Sequence, residues 1–266
     1  MVKNLNYSPI EQMIVSAARL IKDNDEVIFV GVGIPQLAAW LAKYTHAPNC
    51  VIVHEVGIIR TIPCQLGLFV DSLYVQNLAD MLSGLFYVNA LAANDCYNRA
   101  FIGAGQIDRY GNINSTVVGN YYHPIHRWPG SGGGNDVMSL CRNVVIMLKQ
   151  DKRRFPERVD FITSPGYLDG IPNQREKEGL LPMTGPSVVV TDMAIYHFID
   201  GEMVLKSIHN DLGVTLEDIK REIGWSVKID QSLEVTKPPS DEELDVLREK
   251  VDPQKIFKFA SKSDKF

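Results

Sequence analysis

The 266-residue sequence lacks most of the features that mark metal-binding, secreted or membrane proteins. Its four cysteines are widely separated and form no C-x-x-C pair: Cys50, Cys64, Cys96 and Cys141. This spacing argues against a zinc site and a disulfide framework, so we expect reduced thiols. No uncharged apolar run approaches the roughly 20 residues of a membrane helix, and the N-terminus lacks the apolar segment of a signal peptide. We therefore expect a soluble, cytoplasmic protein with no membrane partner.

The sequence also lacks an excess of basic residues and several catalytic signatures. Its formal net charge is -5, so no overall positive field exists to attract nucleic acid, and an anionic ligand would need local contacts or backbone amides. A G-x-S-x-G motif is absent, which removes support for an α/β-hydrolase triad. His123 and His126 form an H-x-x-H pattern, but Pro124 argues against the helix that would align them. We expect no metal.

The order of apolar segments predicts a parallel sheet. Ser8, Pro9 and Glu11 are typical of a helix start, and a β run at 26–30, a helix at 36–44 and a β run at 50–53 follow. Strand, helix and strand at this spacing form a βαβ unit. Further β runs are predicted at 99–102, 143–148, 161–162 and 187–191, and further helices at 215–223 and 241–248. The segment 71–93 mixes small and apolar residues, and its pattern assigns no helix or strand. We predict a single α/β domain over 1–266, with one open, mostly parallel sheet and helices on both faces.

Glu55 is the first candidate for chemistry because it comes directly after a buried β run. It should lie at the carboxyl end of a strand, where open α/β sheets bind ligands. Gly57, two residues later, allows a sharp turn. On position alone, such an acid is more often a salt-bridge partner or a helix cap, so other motifs have to decide.

Two glycine-rich segments are further candidates. The segment 128–136, WPGSGGGND, has bare amides that could approach an oxyanion or a phosphate, although it matches neither the Walker pattern nor the dinucleotide fingerprint. The segment 101–112, FIGAGQIDRYGN, has glycines directly after a β run, which indicates close packing or ligand approach. A flexible surface turn explains the first segment equally well, and a strand with a tight turn explains the second.

Taken together, these motifs resemble the type I CoA-transferases, and among them the β subunit of glutaconate CoA-transferase. The resemblance covers nearly the whole chain in matching order and spacing. It rests on 31–35, Glu55 with Gly57, 103–108, 110–112, 114–116, 123–124, 129–133, 152–155, 163–166, 213–218 and 252–253.

The resemblance implies a site and a partner. The family's nucleophile is a glutamate in an E-N-G or E-S-G signature, and Glu55 falls on that position with Val56 in place of the polar residue. In the family, the glycine-rich loop supplies a backbone N–H to the oxyanion hole, and the matching position in this sequence is Gly133. Binding of substrate or CoA is expected at Gly31, Gly33, Gly57, Gly103, Gln106, Gly132, Gly134 and Asn135. The rest of the pocket would come from an α-type subunit in an α2β2 or larger assembly, with a CoA thioester as substrate and no tightly bound cofactor.

The chemistry implied by the family explains why the nucleophile is a carboxylate. A glutamate can exchange places with a substrate carboxylate at nearly equal energy, first as an anhydride and then as a glutamyl-CoA thioester. The expected function is CoA transfer between a short dicarboxylic acyl-CoA and an acceptor acid. Because Val56 departs from the transferase signature, the alternative functions on the same scaffold are an acyl-CoA hydrolase, a ring-opening hydrolase and a decarboxylase. A non-catalytic CoA-ester-binding subunit is the alternative from a different class.

Overall fold

A computed structural model describes residues 6–24, 26–62, 66–67 and 72–255 of the chain. Its α-helices are α1 (Pro9–Ala18), α2 (Ile34–Tyr44), α3 (Leu85–Ala93), α4 (Gly134–Leu140), α5 (Gln174–Lys177), α6 (Leu216–Arg221) and α7 (Asp241–Val246). Short 3-10 turns cover Leu73–Gln76 and Asn210–Leu212, and α7 continues as a π-helical turn over Leu247–Val251.

The strands form one large sheet and two small ones. They are β1 (Val27–Val30), β2 (Val51–His54), β3 (Ile58–Ile59), β4 (Met81–Leu82), β5 (Arg99–Gly103), β6 (Gln106–Ile107), β7 (Ile113–Asn114), β8 (Val117–Gly119), β9 (Pro124–Arg127), β10 (Val144–Met147), β11 (Pro186–Val190), β12 (Ala194–Ile199), β13 (Glu202–Ile208) and β14 (Lys228–Val235). The ten-stranded sheet has the order β14-β13-β12-β11-β10-β5-β1-β2-β3-β4, and β6–β7 and β8–β9 form separate pairs.

The centre of the large sheet is parallel and its flanks are mixed. Strands β11, β10, β5, β1 and β2 all pair in parallel. Strands β3 and β4 are antiparallel on one side, and β12 and β13 are antiparallel on the other. Short turns join β3 to β2, β12 to β11 and β13 to β12, as antiparallel pairing allows. The predicted open, mostly parallel α/β sheet is confirmed.

Side chains of the central strands alternate between two hydrophobic clusters. In β5, Ala100 and Ile102 belong to the cluster that contains residues of α3, α4 and α6, whereas Phe101 belongs to the cluster of α1 and α2. Successive side chains of a strand point to opposite faces of the sheet. The sheet therefore lies between two layers of helices, as the sequence predicted, and both faces of its centre are buried.

Local signals located the starts of α1, α6 and α7 correctly. Capping boxes form between Ser8 and Glu11 at α1 and between Thr215 and Asp218 at α6. Helix α2 begins at Ile34, two residues earlier than predicted, because Gly33 adopts a φ of +90° that ends the preceding loop.

One predicted strand is absent, and several strands were not predicted. Residues 161–162 form no strand, since the backbone N–H groups of Thr163 and Ser164 both donate to the carbonyl of Ile113 in an isolated contact. The hairpin β12–β13 was missed, although Asp200 and Gly201 both have a positive φ between two apolar runs, which is a typical hairpin signal.

Within the segment 71–93, which the sequence left undivided, the described residues form the 3-10 turn at Leu73–Gln76, strand β4 and helix α3. Residue 71 lies outside the described residues. Cys64 lies outside them too, and Cys50, Cys96 and Cys141 are free thiols.

Candidate active site

The candidate site lies at the carboxyl edge of the sheet, where three parallel strands end side by side. Strand β1 lies between β2 and β5, and Val30 pairs with both His54 and Phe101. Gly31, Glu55 and Gly103 stand at the ends of these strands, so they share one edge. The chain leaves β1 toward β2 on one side, and β5 lies on the other. This arrangement is a topological switch point, where open α/β sheets bind ligands.

A tight turn presents Glu55 at this edge. Residues 55–57 connect β2 to β3, and the N–H of Gly57 donates to the carbonyl of His54 at 2.9 Å. Gly57 has a φ of +99°, and a Cβ there would lie 2.6 Å from the backbone N of Gly84. The N–H of Ser83 donates to the carbonyl of Gly57 at 2.8 Å. Gly57 is therefore required for the turn and its packing, it is buried, and its predicted binding role stays a prediction.

The carboxylate of Glu55 meets the glycine-rich loop. Its Oε1 accepts a hydrogen bond from the backbone N–H of Gly133 at 2.7 Å. Gly133 is the N-cap of α4, and a Cβ there would lie 2.6 Å from that oxygen. At Gly132, which has a φ of +50°, the corresponding distance is 3.8 Å. The predicted nucleophile and the predicted amide donor are thus neighbours, and the free amides at a helix start favour a negative group.

Hydrogen bonds to the backbone of two neighbouring segments hold the glycine-rich loop in place. The N–H of Gly130 donates to the carbonyl of Ser115 at 3.0 Å, and Nδ2 of Asn135 donates to the carbonyl of Thr163 at 3.1 Å. Thr163 Oγ1 lies 2.7 Å from Thr116 Oγ1 and accepts from the N–H of Ser115 at 2.8 Å. Ser115, Thr116 and Thr163 had no predicted role. Their signal was the clustering of small hydroxyl residues in 114–116 and 163–164.

Several other predicted binding residues lie along the same edge. The N–H of Gly31 donates to the carbonyl of Phe101 at 3.0 Å, and Gly33 is the N-cap of α2. Gly103 is exposed at the end of β5, and Gly134 is the first residue of α4. Asn135 is exposed in the first turn of α4. These positions are compatible with ligand contact, and their binding roles stay predictions.

Gln106 is placed differently from the expectation. Its side chain is buried, with its Oε1 accepting from Asn114 Nδ2 at 2.8 Å and its Nε2 donating to the carbonyl of Arg153 at 2.9 Å. The amide therefore joins β6 to β7 and to the loop at Arg153. The structure gives Gln106 a role in holding these segments together, and its predicted binding of substrate or CoA stays a prediction.

The two residues that flank Glu55 are apolar or neutral. His54 is buried, and burial lowers the pKa of its imidazole to about 4, so the ring is uncharged at neutral pH. It lies edge-to-face on Trp40 with the ring centroids 6.3 Å apart. Val56 is half-buried and packs against the cluster of α1 and α2. The Val56 side chain thus contributes to the core.

Metal sites and membrane spans find no support in the described part of the chain. Among the residues with described positions, no group of three or more His, Cys, Asp or Glu is arranged to hold a metal ion. Over the same residues, no helix is both long enough and apolar enough to cross a membrane.

Comparisons with known proteins place this chain in a family. The family model for coenzyme A transferase matches residues 10–222. The chain is 37% identical over 246 residues to the B subunit of 3-oxoadipate CoA-transferase of Pseudomonas knackmussii, covering 91% of this chain and 92% of that protein. It is 27% identical over 226 residues to the cholesterol ring-cleaving hydrolase IpdB subunit of Rhodococcus jostii, covering 84% and 83%.

A solved structure agrees in both fold and sequence. The chain is 34% identical over 260 residues to the B subunit of glutaconate CoA-transferase of Acidaminococcus fermentans, covering 95% of each protein. The crystal structure of that coenzyme A-transferase matches with a TM-score of 0.89 over 95% of this chain and 97% of that chain. The resemblance and the fold class inferred from the sequence are both confirmed. This chain belongs to the coenzyme A transferase family.

Proposed function

We propose that this chain is the B-type subunit of a heteromeric, cytoplasmic CoA-transferase. It moves CoA between a short dicarboxylic acyl-CoA and an acceptor carboxylic acid, with Glu55 as the covalent residue. The single observation that carries the proposal is the contact between the Glu55 carboxylate and the Gly133 N–H at the switch point of the sheet. The relatives named for 3-oxoadipate and glutaconate, both dicarboxylic acids, support the substrate class.

The proposed reaction begins at the carboxylate of Glu55. One oxygen attacks the thioester carbonyl of the acyl-CoA, and the CoA thiolate leaves, which produces a mixed anhydride. The thiolate then attacks Cδ of Glu55 and expels the substrate carboxylate, which leaves a glutamyl-CoA thioester. The acceptor carboxylate attacks this thioester at Cδ and the thiolate leaves, which produces a second mixed anhydride. The thiolate then attacks the acceptor carbonyl of that anhydride, which releases the acceptor-CoA and restores Glu55. The CoA thioester enters as a substrate, and no tightly bound cofactor takes part.

The position of Gly133 suits the steps that occur at Cδ of Glu55. When the thiolate attacks Cδ, negative charge develops on a glutamyl oxygen. Oε1 already accepts a hydrogen bond from Gly133 at 2.7 Å, so the donor is in place before the charge appears. Preorganised donors of this kind contribute much of the rate in acyl transfer, and the loss of one costs about 10²–10³ in kcat.

The proposed partner is an α-type subunit in an α2β2 or larger assembly. The relatives at 34% and 37% identity are both named as B subunits. The segment 81–94 contains no charged residue, and it exposes 60% of Leu82 and 87% of Phe86. An apolar surface of this kind is typical of an interface. Because Ser83 donates to the carbonyl of Gly57, two residues after Glu55, this surface is connected to the turn that carries Glu55.

The proposal is tested by trapping the thioester on Glu55. The chain, co-expressed with an α-type subunit, is incubated with glutaconyl-CoA and then treated with borohydride, which reduces a glutamyl thioester. Peptide mapping should find the mass change at Glu55, and Glu55→Asp should lose transfer because the shortened carboxylate lies about 1 Å or more from attack geometry. Asp136→Asn, which removes an exposed acid near the same loop, is the matched control and should keep activity. Full transfer by Glu55→Ala would refute the assignment.

A hydrolase is the second candidate function, favoured by Val56 in place of the polar residue of the transferase signature and by the relative named as a hydrolase. The two functions differ in what happens without an acceptor. The complex is given acyl-CoA with and without an acceptor acid, and both CoA release and acceptor-CoA formation are followed. Transfer predicts acceptor-CoA and slow CoA release without acceptor. Equal CoA release in both cases, with no acceptor thioester, would identify a hydrolase.

A further inference from the structure

The side chain of Arg175 in α5 is a buried cation next to the helix that carries Gly133. Only 5% of the residue is exposed. Among the described residues, it forms no ion pair with a carboxylate within 4.0 Å. An arginine keeps its charge in proteins, and a buried charge without a counterion costs free energy unless hydrogen bonds compensate. The contacts of the guanidinium should therefore explain why it is there.

The guanidinium donates to four oxygens on three separate segments. Nη2 donates to the carbonyl of Met138 at 2.8 Å and to Thr184 Oγ1 at 2.9 Å. Nη1 donates to the carbonyls of Pro165 at 2.9 Å and Gly166 at 2.5 Å. Arg175 thus joins the C-terminal half of α4 to the loop at 165–166 and to the segment before β11.

Helix α4 is consequently tied to the segment 163–166 at both ends. At its start, Asn135 donates to the carbonyl of Thr163. At its end, the Met138 carbonyl is one of the last four of the helix, which find no partner within the helix, and Arg175 binds it. A cation at this end also interacts favourably with the helix dipole.

We propose that Arg175 is a positioning residue that fixes α4 so that the Gly133 N–H meets Glu55. This inference rests on the function proposed above for those two residues. The helix is short, about 10 Å for seven residues, so a shift at Met138 carries to Gly133. The hydrogen bond to Glu55 tolerates a displacement of only a few tenths of an ångström between donor and acceptor. A catalytic group that is misplaced by about 1 Å can lose on the order of 10² in rate.

The first test replaces Arg175 by lysine in the assembled complex. Lysine keeps the charge, but its single nitrogen cannot reach four acceptors in different directions. We expect kcat to fall about 10- to 100-fold with KM near the wild-type value, measured well below the melting temperature of the variant. Arg158→Lys is the matched control, since Arg158 is half-exposed and pairs with Asp169 on the neighbouring loop. A lower melting temperature with unchanged kcat would show that Arg175 contributes only to stability, and it would overturn the proposal.

A double-mutant cycle tests whether Arg175 acts through Gly133. Gly133→Ala displaces Glu55 directly, so Arg175→Lys should add little further loss of kcat in that background. Losses that multiply would mean independent effects and would overturn the proposal. If Arg175→Lys fails to assemble, Thr184→Val removes one of the four acceptors and takes its place in the same cycle.

Amide exchange separates failure of this inference from failure of the proposed function. Hydrogen–deuterium exchange of a peptide that covers 131–137 needs no catalysis. Faster exchange in Arg175→Lys, but not in Arg158→Lys, supports the positioning of α4 even if the wild-type complex transfers no CoA, a result that would refute the proposed function alone. Unchanged exchange in Arg175→Lys would refute the positioning role whatever the complex catalyses.

Discussion

The backbone N–H of Gly133 donates a hydrogen bond of 2.7 Å to Oε1 of Glu55, although the two residues are 78 positions apart in the sequence. One residue ends a buried strand and the other begins a helix on a different part of the sheet. Their contact links the candidate nucleophile to the amides of the glycine-rich loop, so a change at either residue should alter the other.

Gly133→Ala should reduce catalysis more than substrate binding. The added Cβ would lie 2.6 Å from Oε1 and 2.9 Å from Cδ of Glu55, so either the carboxylate or the loop must move. We expect kcat to fall by about 10²–10³ with a smaller change in KM, because the donor acts most strongly in the transition state.

Steady-state kinetics of the complex check this prediction, with Ser131→Ala as a control in an exposed part of the same loop. A rise in KM at unchanged kcat would contradict it and would mark the loop as a cradle for CoA.

Gly57→Ala should destabilise the fold. A Cβ at Gly57 would lie 2.6 Å from both Gly84 N and Ser83 C, and the φ of +99° is strained for any L-residue. Strain of this kind costs about 1–3 kcal/mol before the clash is counted. Gly84→Ala is the control, because its Cβ would meet nothing within 4 Å at a φ of -132°. Thermal unfolding should show a large drop for the first variant and a small one for the second. Equal melting temperatures would contradict the packing of this turn.

The ion pair between α1 and α7 should make stability depend on acid pH. Arg19 donates from Nε and Nη2 to both carboxylate oxygens of Glu243, at 2.8 and 2.6 Å. Burial opposes ionisation of Glu243, but the hydrogen bonds from Arg19 and Ser240 and the charge of Arg19 outweigh it, so the pKa of Glu243 lies below the usual value. A lowered folded pKa stabilises the protein above the unfolded pKa of about 4.3, and that contribution is lost as the pH falls through the folded value.

Thermal melts of wild type and Glu243→Gln between pH 3 and 7 test this dependence. The difference in melting temperature should be constant near neutral pH and should shrink below about pH 4.3. Glu242→Gln, which changes an exposed neighbour, should show no such trend. A difference that stays constant down to pH 3 would be inconsistent with the ion pair.

The chain purified without a partner should self-associate and lack transferase activity. Leu82 in β4 exposes 60% of its surface, and Phe86 in the uncharged helix α3 exposes 87%. Exposed apolar surface of this kind favours association. Light scattering and binding of a hydrophobic dye should both decrease on co-expression with an α-type subunit. Phe86→Ser should decrease both the light scattering and the dye binding of the isolated chain. A stable monomer with full turnover would show that no partner is needed.

Short-range signals in the sequence were sufficient for much of the fold. The capping boxes of Ser8 with Glu11 and of Thr215 with Asp218 form as expected, because each needs only groups three residues apart. The apolar runs became the central strands, because buried parallel strands are apolar on both faces. The position of Glu55 at a strand end followed from the same pattern.

Other features depend on segments that only the folded chain brings together. Glu55 was identified as a candidate, but its contact with Gly133 arises because β2 and the start of α4 meet at one edge of the sheet. The sequence predicted a sharp turn at Gly57, whereas the packing of Ser83 and Gly84 against that turn is tertiary. The sequence suggested that Gln106 binds a ligand, but its amide is hydrogen-bonded to Asn114 and Arg153 in the folded chain.

The sequence by itself therefore determined the helix caps, the buried strands and the identity of the candidate nucleophile. The caps and strands depend on the periodicity of side chains and on hydrogen bonds within one turn of the chain, whereas the candidate nucleophile followed from the resemblance to the CoA-transferases. The tertiary structure alone decided how the Gly133 amide meets the Glu55 carboxylate, which glycine is needed for packing and which buried cation holds α4. Each of those depends on hydrogen bonds and close contacts between distant segments, and no local window of sequence contains both partners.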